Sequence, residues 1–247
     1  MINKAIILAA GMGTRLKELT QDKPKCLVKV NGKEILRSNL EKLERNGITE
    51  AVILVGYLAN KIEETFGESF GNMKLTYVES KRYMETNNMY SLWLARQHLS
   101  DGALLMEGDV VFEEEIIQKA LTTDADKSFW VVDKFTEELD GCMSTTDMDN
   151  RIIDLRIVRE KLPEYKSNYH KSVGILKITP KYGQEFSRWL DEDVQAGNVK
   201  IYYDLVLQRR LHQLPLYVCS INGLKWFEID NQEDLKKAEE IFSGEKS

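Results

Sequence analysis

An α/β fold with a mixed, mostly parallel sheet flanked by helices is what this chain of 247 residues predicts. Three observations lead there. "AIILAA" (5–10) and "AVILVGY" (51–57) are continuous apolar runs, as in strands buried on both faces. The segments between strands carry apolar residues at helical spacing and close on glycine. Strand and helix alternate through the first half, which argues parallel strands joined by right-handed crossovers. Ligands of such sheets sit beyond the carboxyl ends of the strands. The loops after "AIILAA" and "ALLME" lie there.

The elements follow in order. "EILRSNLEKLERNG" (34–47) places Ile35, Leu36, Leu40 and Leu43 on one helical face and ends at Gly47. After the strand at 51–57, 58–67 reads as a short helix, 74–80 as a third strand and 89–99 as a helix. Thr86, Asn87 or Asn88 is the N-cap of that helix. A fourth strand over 102–112 ends in a turn, and 113–121 is a helix. In the second half, 127–134, 141–158 and 171–179 read as strands of mixed direction, and 181–195 and 202–213 as helices. The stretch 215–230 reads as a hairpin turned at Asn222-Gly223. A helix over 231–242 closes the chain. No linker or internal repeat interrupts this, so one continuous domain is expected over 1–247, its later part completing a pocket.

Composition excludes several classes. A net charge of −6 provides no broad basic field for nucleic acid or an anionic membrane, so any phosphate site is a local concentration of positive charge. Cys26, Cys142 and Cys219 are odd in number and form no C-x-x-C pair, which argues against a disulfide framework or zinc site and for a cytoplasmic location. The apolar run at the N-terminus is too short for a signal peptide or a membrane span.

"LAAGMGTRLKELTQDKPKCL" (8–27) gathers Gly11, Gly13, Arg15, Lys23 and Lys25 after a strand. The dinucleotide fingerprint fails here, because Leu16 stands where glycine or alanine is needed, and a Walker A motif is absent. What remains is a Gly-x-Gly turn whose backbone N–H groups can approach a triphosphate, with an arginine just beyond. The bland alternative is a tight turn with a solvated basic loop. Pro24 and the apolar "CLV" beside Lys25 argue that the lysine points inward.

"LAAGMGTRL" followed by "DKPKCLVKVNGKEIL", with Gly108-Asp109 and "WFEID" (226–230), resembles the nucleotidyltransferases that make sugar nucleotides and related activated alcohols. The resemblance implies a Rossmann-like, GT-A-like sheet with a mixed β extension. It divides the chain into a nucleotide-binding half over about 1–125 and an acceptor-binding half over about 126–247. It implies Mg²⁺ held by Asp109 and Asp230. The residues alone also allow Asp109 to stabilise a turn, and Asp230 to cap the last helix in an Asp230-x-x-Glu233 box. Glu107 and Glu228 flank the two aspartates. Lys25 and Arg15 carry the catalytic charge, and Leu8, Ala9, Ala10, Gly11, Met12, Gly13, Thr14 and Arg15 hold the phosphates.

"TNNMYSLWLA" (86–95) departs from the Pro-x-Gly-Thr-type turn of hexose-1-phosphate enzymes and is similar to the CTP-dependent branch, which acts on phosphocholine or 2-aminoethylphosphonate. Asn87, Asn88 and Ser91 are then candidates for reading cytosine, since an amide pairs with both donors and acceptors; helix capping is the alternative. The substrates implied are CTP and a small phosphate or phosphonate acceptor, with no nucleic acid and no membrane; a homodimer stays open. Lys161, Lys171, Tyr90, Trp93 and Asp133 are the candidates for the acceptor. Glu160-Lys161 matches the family's Glu-Lys pair but is not directly followed by proline, so a solvated lysine is the alternative. A quaternary ammonium calls for an aromatic cage from Tyr90, Trp93, Trp130, Tyr169 or Trp226; a primary amine calls for a carboxylate such as Asp133, Asp140 or Glu160. Sequence does not separate these. A sugar-1-phosphate enzyme and a regulatory module that has lost chemistry are the competing readings; such a module has no need for Lys25, Arg15 and both aspartates.

Overall fold

The computed structural model describes residues 2–136, 139–160 and 166–244. Strand β1 (Lys4–Ala9) is the apolar run "KAIILA". A 3-10 segment (Thr14–Thr20) and a 3-10 turn (Lys25–Leu27) lead to the small antiparallel pair β2 (Lys29–Val30) and β3 (Lys33–Glu34). Helix α1 (Ile35–Arg45) turns back at Gly47, whose φ of 80° suits glycine. Then come β4 (Glu50–Val55), α2 (Ala59–Phe66), β5 (Ser69–Phe70), β6 (Met73–Glu79) and α3 (Asn88–Leu94). Strands β1, β4 and β6 pair in parallel, as their buried runs predict.

The expected strand over 102–112 is two, β7 (Ala103–Glu107) and β8 (Val110–Phe112), broken at Gly108-Asp109. Strand β7 lies parallel to β1, with Leu8 opposite Glu107. Gly108 donates its N–H to the Leu8 carbonyl at 2.9 Å, and a Cβ at Gly108 would lie 2.6 Å from that oxygen. A side chain there would push apart the two strand ends that meet at the site.

Helix α4 (Glu115–Thr122) precedes β9 (Phe129–Lys134), β10 (Gly141–Thr146), β11 (Ile152–Val158) and β12 (Tyr169–Ile178). The expected strand over 141–158 is thus split, at a turn where Asn150 has φ 60°. Strand β12 runs antiparallel to β7, β9 and β10, so the sheet changes from parallel to mixed beside β7. One ten-stranded sheet carries both halves of the chain, in the order β11-β10-β12-β7-β1-β4-β6-β5 with β9 paired to β12. Helix α5 (Pro180–Gln195) matches its predicted bounds, whereas α6 (Tyr203–Gln208) stops short of residue 213.

The predicted hairpin over 215–230 is corrected. Asn222 and Gly223 do turn the chain, with φ 54° and 85°. The flanking strands do not pair with each other. β13 (Tyr217–Ser220) adds in parallel to β9, and β14 (Trp226–Glu228) crosses to pair antiparallel with β8. The turn residues fix a reversal; partners for each strand come from distant parts of the chain. Helix α7 (Gln232–Ile241) follows.

The apolar stripes cover both sheet faces. Leu36, Leu40, Ile62 and Ile116 pack on one, and Leu92, Phe186, Trp189 and Val206 on the other. A third cluster of Leu16, Val28, Ile35, Val111, Ile229 and Phe242 ties the basic loop to α7. That cluster flanks Arg15 and Asp230. No helix among the described residues is long and apolar enough to cross a membrane.

Candidate active site

The parallel strand ends at Ala9 and Glu107 open onto one cleft of about 380 Å³, within the usual size of small-molecule sites. The loop after β1 forms its first wall. Gly13 sits at φ 60° and ψ 35° and accepts from Leu16 N–H and the Thr20 hydroxyl, both at 2.9 Å. A Cβ there would meet Lys25 Cβ at 2.9 Å. Gly13→Ala is therefore expected to cost about 1–2 kcal/mol from the left-handed backbone alone and to displace Lys25. Thermal unfolding together with nucleotide titration would show both; unchanged nucleotide affinity would contradict the second effect.

Lys25 enters the cleft because Pro24 is extended and Cys26 and Leu27 are buried behind it. Its ammonium donates to Asp109 Oδ2 at 2.6 Å and to Asp230 Oδ1 at 2.7 Å. Arg15 reaches the same Asp230 oxygen at 2.7 Å from a side chain that is 67% exposed. Burial alone would lower the Lys25 pKa, but Asp109 and Asp230 outweigh it and the pKa is raised. Burial likewise works against the Asp230 carboxylate, and Lys25 and Arg15 more than offset it, so that its pKa is lowered.

The β14–β8 pairing brings the two aspartates together: Glu228 lies opposite Val110, and Ile229 N–H donates to the Asp109 carbonyl at 3.0 Å. Asp230 does not cap α7. Asn231 does, accepting from the Glu233 and Asp234 N–H groups, while Asp234 accepts from Asn231 N–H. The Asp230 carboxylate is left for the cleft. Asp109, Glu228 and Asp230 each offer an oxygen within 4.8 Å of the others. Asp109 Oδ1 is buried without a hydrogen-bond partner among the described residues. A hard cation bound by a few carboxylates fits both facts.

Farther along, β10, β11, β12 and the start of α6 build a second wall with Cys142, Ile157, Arg159, Lys171, Ser172, Tyr202 and Asp204. Lys171, whose side chain is 7% exposed, reaches Glu228 Oε2 at 3.3 Å. Burial opposes its charge, but Glu228 and Glu107 raise its pKa. Burial pushes Glu107 well above the ordinary carboxylate range, reinforced by Asp109, Glu228 and Asp204. Glu107 accepts from the Tyr203 hydroxyl at 3.1 Å.

Most residues singled out in the sequence meet in this cleft: Leu8, Ala10, Gly11, Gly13, Thr14, Arg15, Lys25, Asn87, Asn88, Ser91, Asp109, Lys171 and Asp230. Ala9 and Met12 adjoin it without lining it. Asn87 caps α3 by accepting from Asn88 N–H at 2.8 Å, and Asn88 Oδ1 accepts from Tyr203 N–H at 3.0 Å. Both amides thus hold backbone while their residues face the cleft.

Three acceptor candidates lie elsewhere. Tyr90 and Trp93 pack on each other, with ring centroids 5.3 Å apart, under Arg82 and Arg96. Trp93 Nε1 donates to Asp191 on α5 at 2.7 Å. They stand three residues apart on a face of α3 turned from the cleft. Asp133 accepts from Trp226 Nε1 at 2.9 Å and does not line the cleft. Lys161 lies outside the described residues. Sequence reading missed Arg159, Tyr202 and Asp204; the one signal was an aspartate within the otherwise apolar "YYDLVL".

A family model described as nucleotidyl transferase matches residues 4–185, which span the glycine loop, Lys25 and Asp109. The chain belongs to the nucleotidyl transferase family. It is a nucleotidyltransferase enzyme. Over 243 residues it is 29% identical to a choline-phosphate cytidylyltransferase of Streptococcus pneumoniae, covering 98% of this chain and 99% of that one. It is 30% identical over 244 residues to a CMP-5'-(3-aminopropyl)phosphonate synthase of Streptomyces rubellomurinus, covering 97% of this chain and 39% of that longer one. A solved structure of a CTP:phosphocholine cytidylyltransferase from Streptococcus pneumoniae superposes with a TM-score of 0.80 at 26% identity, covering 98% of this chain and all of that one. Sugar-phosphate nucleotidyltransferases are also among its relatives.

Proposed function

We propose that this enzyme transfers CMP from CTP to a small phosphate or phosphonate acceptor that carries an amino group, and releases pyrophosphate. The observation that carries the reading is the position of Lys25, held at 2.6 and 2.7 Å between Asp109 and Asp230 and packed beneath Gly13. Cytidylyl-transferring relatives along nearly the whole chain support CTP over UTP, as does "TNNMYSL" in the cleft wall.

The acceptor needs no general base. The second pKa of a phosphate monoester is about 6, so its attacking oxygen is ionised at neutral pH. What the chain contributes is position and charge. Backbone N–H groups from Gly11 to Thr14, with Arg15, hold the β- and γ-phosphates of the leaving pyrophosphate. Lys25 neutralises charge that grows on the α-phosphate during in-line displacement. Asn87, Asn88 and Ser91 face the base. Lys171 and Arg159 draw the acceptor's anionic end to the second wall. Asp109 and Asp230, joined by Glu228, would hold Mg²⁺, which supplies charge neutralisation for the α-phosphate and the nucleophile. Cys26, Cys142 and Cys219 are free thiols, consistent with a cytoplasmic enzyme.

Equilibrium titration with Mg²⁺ and each nucleoside triphosphate tests the base assignment. CTP is expected to bind at least about tenfold more tightly than UTP, the equivalent of about 1.4 kcal/mol. Equal affinities, or tighter UTP binding, would contradict it and favour a sugar-1-phosphate uridylyltransferase.

A further inference from the structure

We propose that Asp204 selects the acceptor by its tail, accepting hydrogen bonds from a protonated primary amine and rejecting the same nitrogen once it is fully methylated. This rests on the reading of the cleft as a cytidylyltransferase site.

Asp204 stands in the first turn of α6, is 5% exposed, and still lines the cleft. Its position is fixed from both sides. The preceding Tyr203 is fully buried, donates its N–H to Asn88 Oδ1 at 3.0 Å and its hydroxyl to Glu107 at 3.1 Å. The Cys142 thiol lines the cleft with Asp204 and favours its charged form. Among the described residues, no lysine, arginine or histidine lies within ion-pair distance of it; Lys171 and Arg159 act on it only through charge at longer range. A carboxylate has about four lone-pair sites, of which the weakly donating Cys142 thiol and the residue's own backbone N–H account for at most two. Burial accordingly raises its pKa. A buried carboxylate with spare acceptor capacity, facing a ligand cleft, is completed by a cation that brings N–H donors.

A quaternary ammonium brings none. Its recognition depends on aromatic faces. Among the described residues, the aromatic residues that line the cleft are Tyr83 and Tyr202. The faces of the other candidate rings are taken: Tyr90 and Trp93 pack on each other, Trp130 stacks on Tyr203 with centroids 6.1 Å apart, the Lys171 ammonium stands 5.7 Å from the centre of the Trp226 ring, and Tyr169 packs against the cluster of Phe135, Met143 and Val158. Among the described residues, these two cleft tyrosines are all the aromatic surface that the cleft offers a trimethylammonium group. The second wall instead offers Lys171 and Arg159 for an anion and Asp204 for a cation, the pattern of a short zwitterion.

The test is a methylation series. Phosphoethanolamine, its N-methyl and N,N-dimethyl derivatives, and phosphocholine are compared as acceptors with CTP and Mg²⁺, alongside 2-aminoethylphosphonate and the neutral-tailed inositol 1-phosphate and glucose 1-phosphate. The primary amines are expected to have the highest kcat/KM, and phosphocholine to fall about 10–100-fold below phosphoethanolamine, the scale of a lost charge-assisted hydrogen bond. Asp204→Asn should raise KM for primary amines by a similar factor and level the series, with KM for CTP unchanged. The wild-type series needs no variant to fold. Phosphocholine equal to or better than phosphoethanolamine, a neutral-tailed acceptor used best, or a preference that survives Asp204→Asn would each overturn the proposal. Calorimetric titration of each acceptor into enzyme, Mg²⁺ and a non-hydrolysable CTP analogue gives the same order without turnover. Failure of the CTP analogue to bind would overturn the cytidylyltransferase reading itself, whereas a bound analogue with the reverse acceptor order would overturn only the role of Asp204.

Discussion

Lys25→Met is expected to lower kcat/KM by about 10²–10³, the scale of losing one preorganised charge at a developing anion. Methionine keeps the length of the aliphatic stem against Gly13 and removes the ammonium. The loss should fall mainly on kcat, because a charge that matters most as the α-phosphate expands its coordination stabilises the transition state more than the bound substrate. The variant also leaves Asp109 and Asp230 without the cation that separates them. In EDTA, with no divalent ion to compensate, its Tm should drop below that of the wild type, because one partner of a largely buried pair has been removed. Steady-state kinetics and a melting curve in EDTA check both. Activity within fivefold of wild type would remove Lys25 from the chemistry.

Asp230→Asn has the second large effect, for a different reason. Asp230 Oδ1 is shared by Lys25 and Arg15, so one amide disconnects two cations. It also removes one oxygen of the three-carboxylate cluster. At saturating Mg²⁺ and CTP the rate should fall by at least about 10². The charge of Asp230 makes a separate prediction in EDTA. Its folded pKa is lowered below the ordinary carboxylate value, so the ionised form stabilises the fold. For such a group the stabilisation is fully present above the unfolded pKa of about 4 and is lost as pH falls through the lower folded value. The Tm of wild type should therefore exceed that of Asp230→Asn at neutral pH, and the gap should close as pH falls below about 4. A gap independent of pH would mean that Asp230 contributes through packing, not charge.

Much of this arrangement is legible in the residues. "AIILAA" and "AVILVGY" carry the period of strands covered on both faces, and they pair in parallel as that period requires. The glycines, Arg15 and Lys25 are close in sequence, so local chemistry is enough to group them. Asp230 was harder. Asp230-x-x-Glu233 fits a capping box, but the box forms one residue later, from Asn231 and Asp234, and the register of β14 against β8 decides which aspartate faces the cleft. The 215–230 segment failed for the same reason. Asn222-Gly223 encodes a turn, whereas strand partners are chosen by burial against β9 and β8, far away in sequence. Tyr90 and Trp93 carry a correct helical period, but which face of α3 meets the cleft depends on Asp191 of α5, which takes the Trp93 N–H. Asp204 had no local signature beyond a charge among apolar neighbours; only the fold places it in the cleft wall with Cys142 and Lys171.

The most direct measurement of the central claim is pyrophosphate release with Mg²⁺, comparing CTP, UTP and ATP across 2-aminoethylphosphonate, phosphoethanolamine, phosphocholine and glucose 1-phosphate, with the nucleotide product identified by phosphorus NMR. The account predicts turnover with CTP and an amino-bearing phosphate or phosphonate, giving the CMP-linked acceptor and pyrophosphate in equal amounts. Turnover confined to UTP and glucose 1-phosphate, or tight CTP binding with no product from any acceptor, would contradict it.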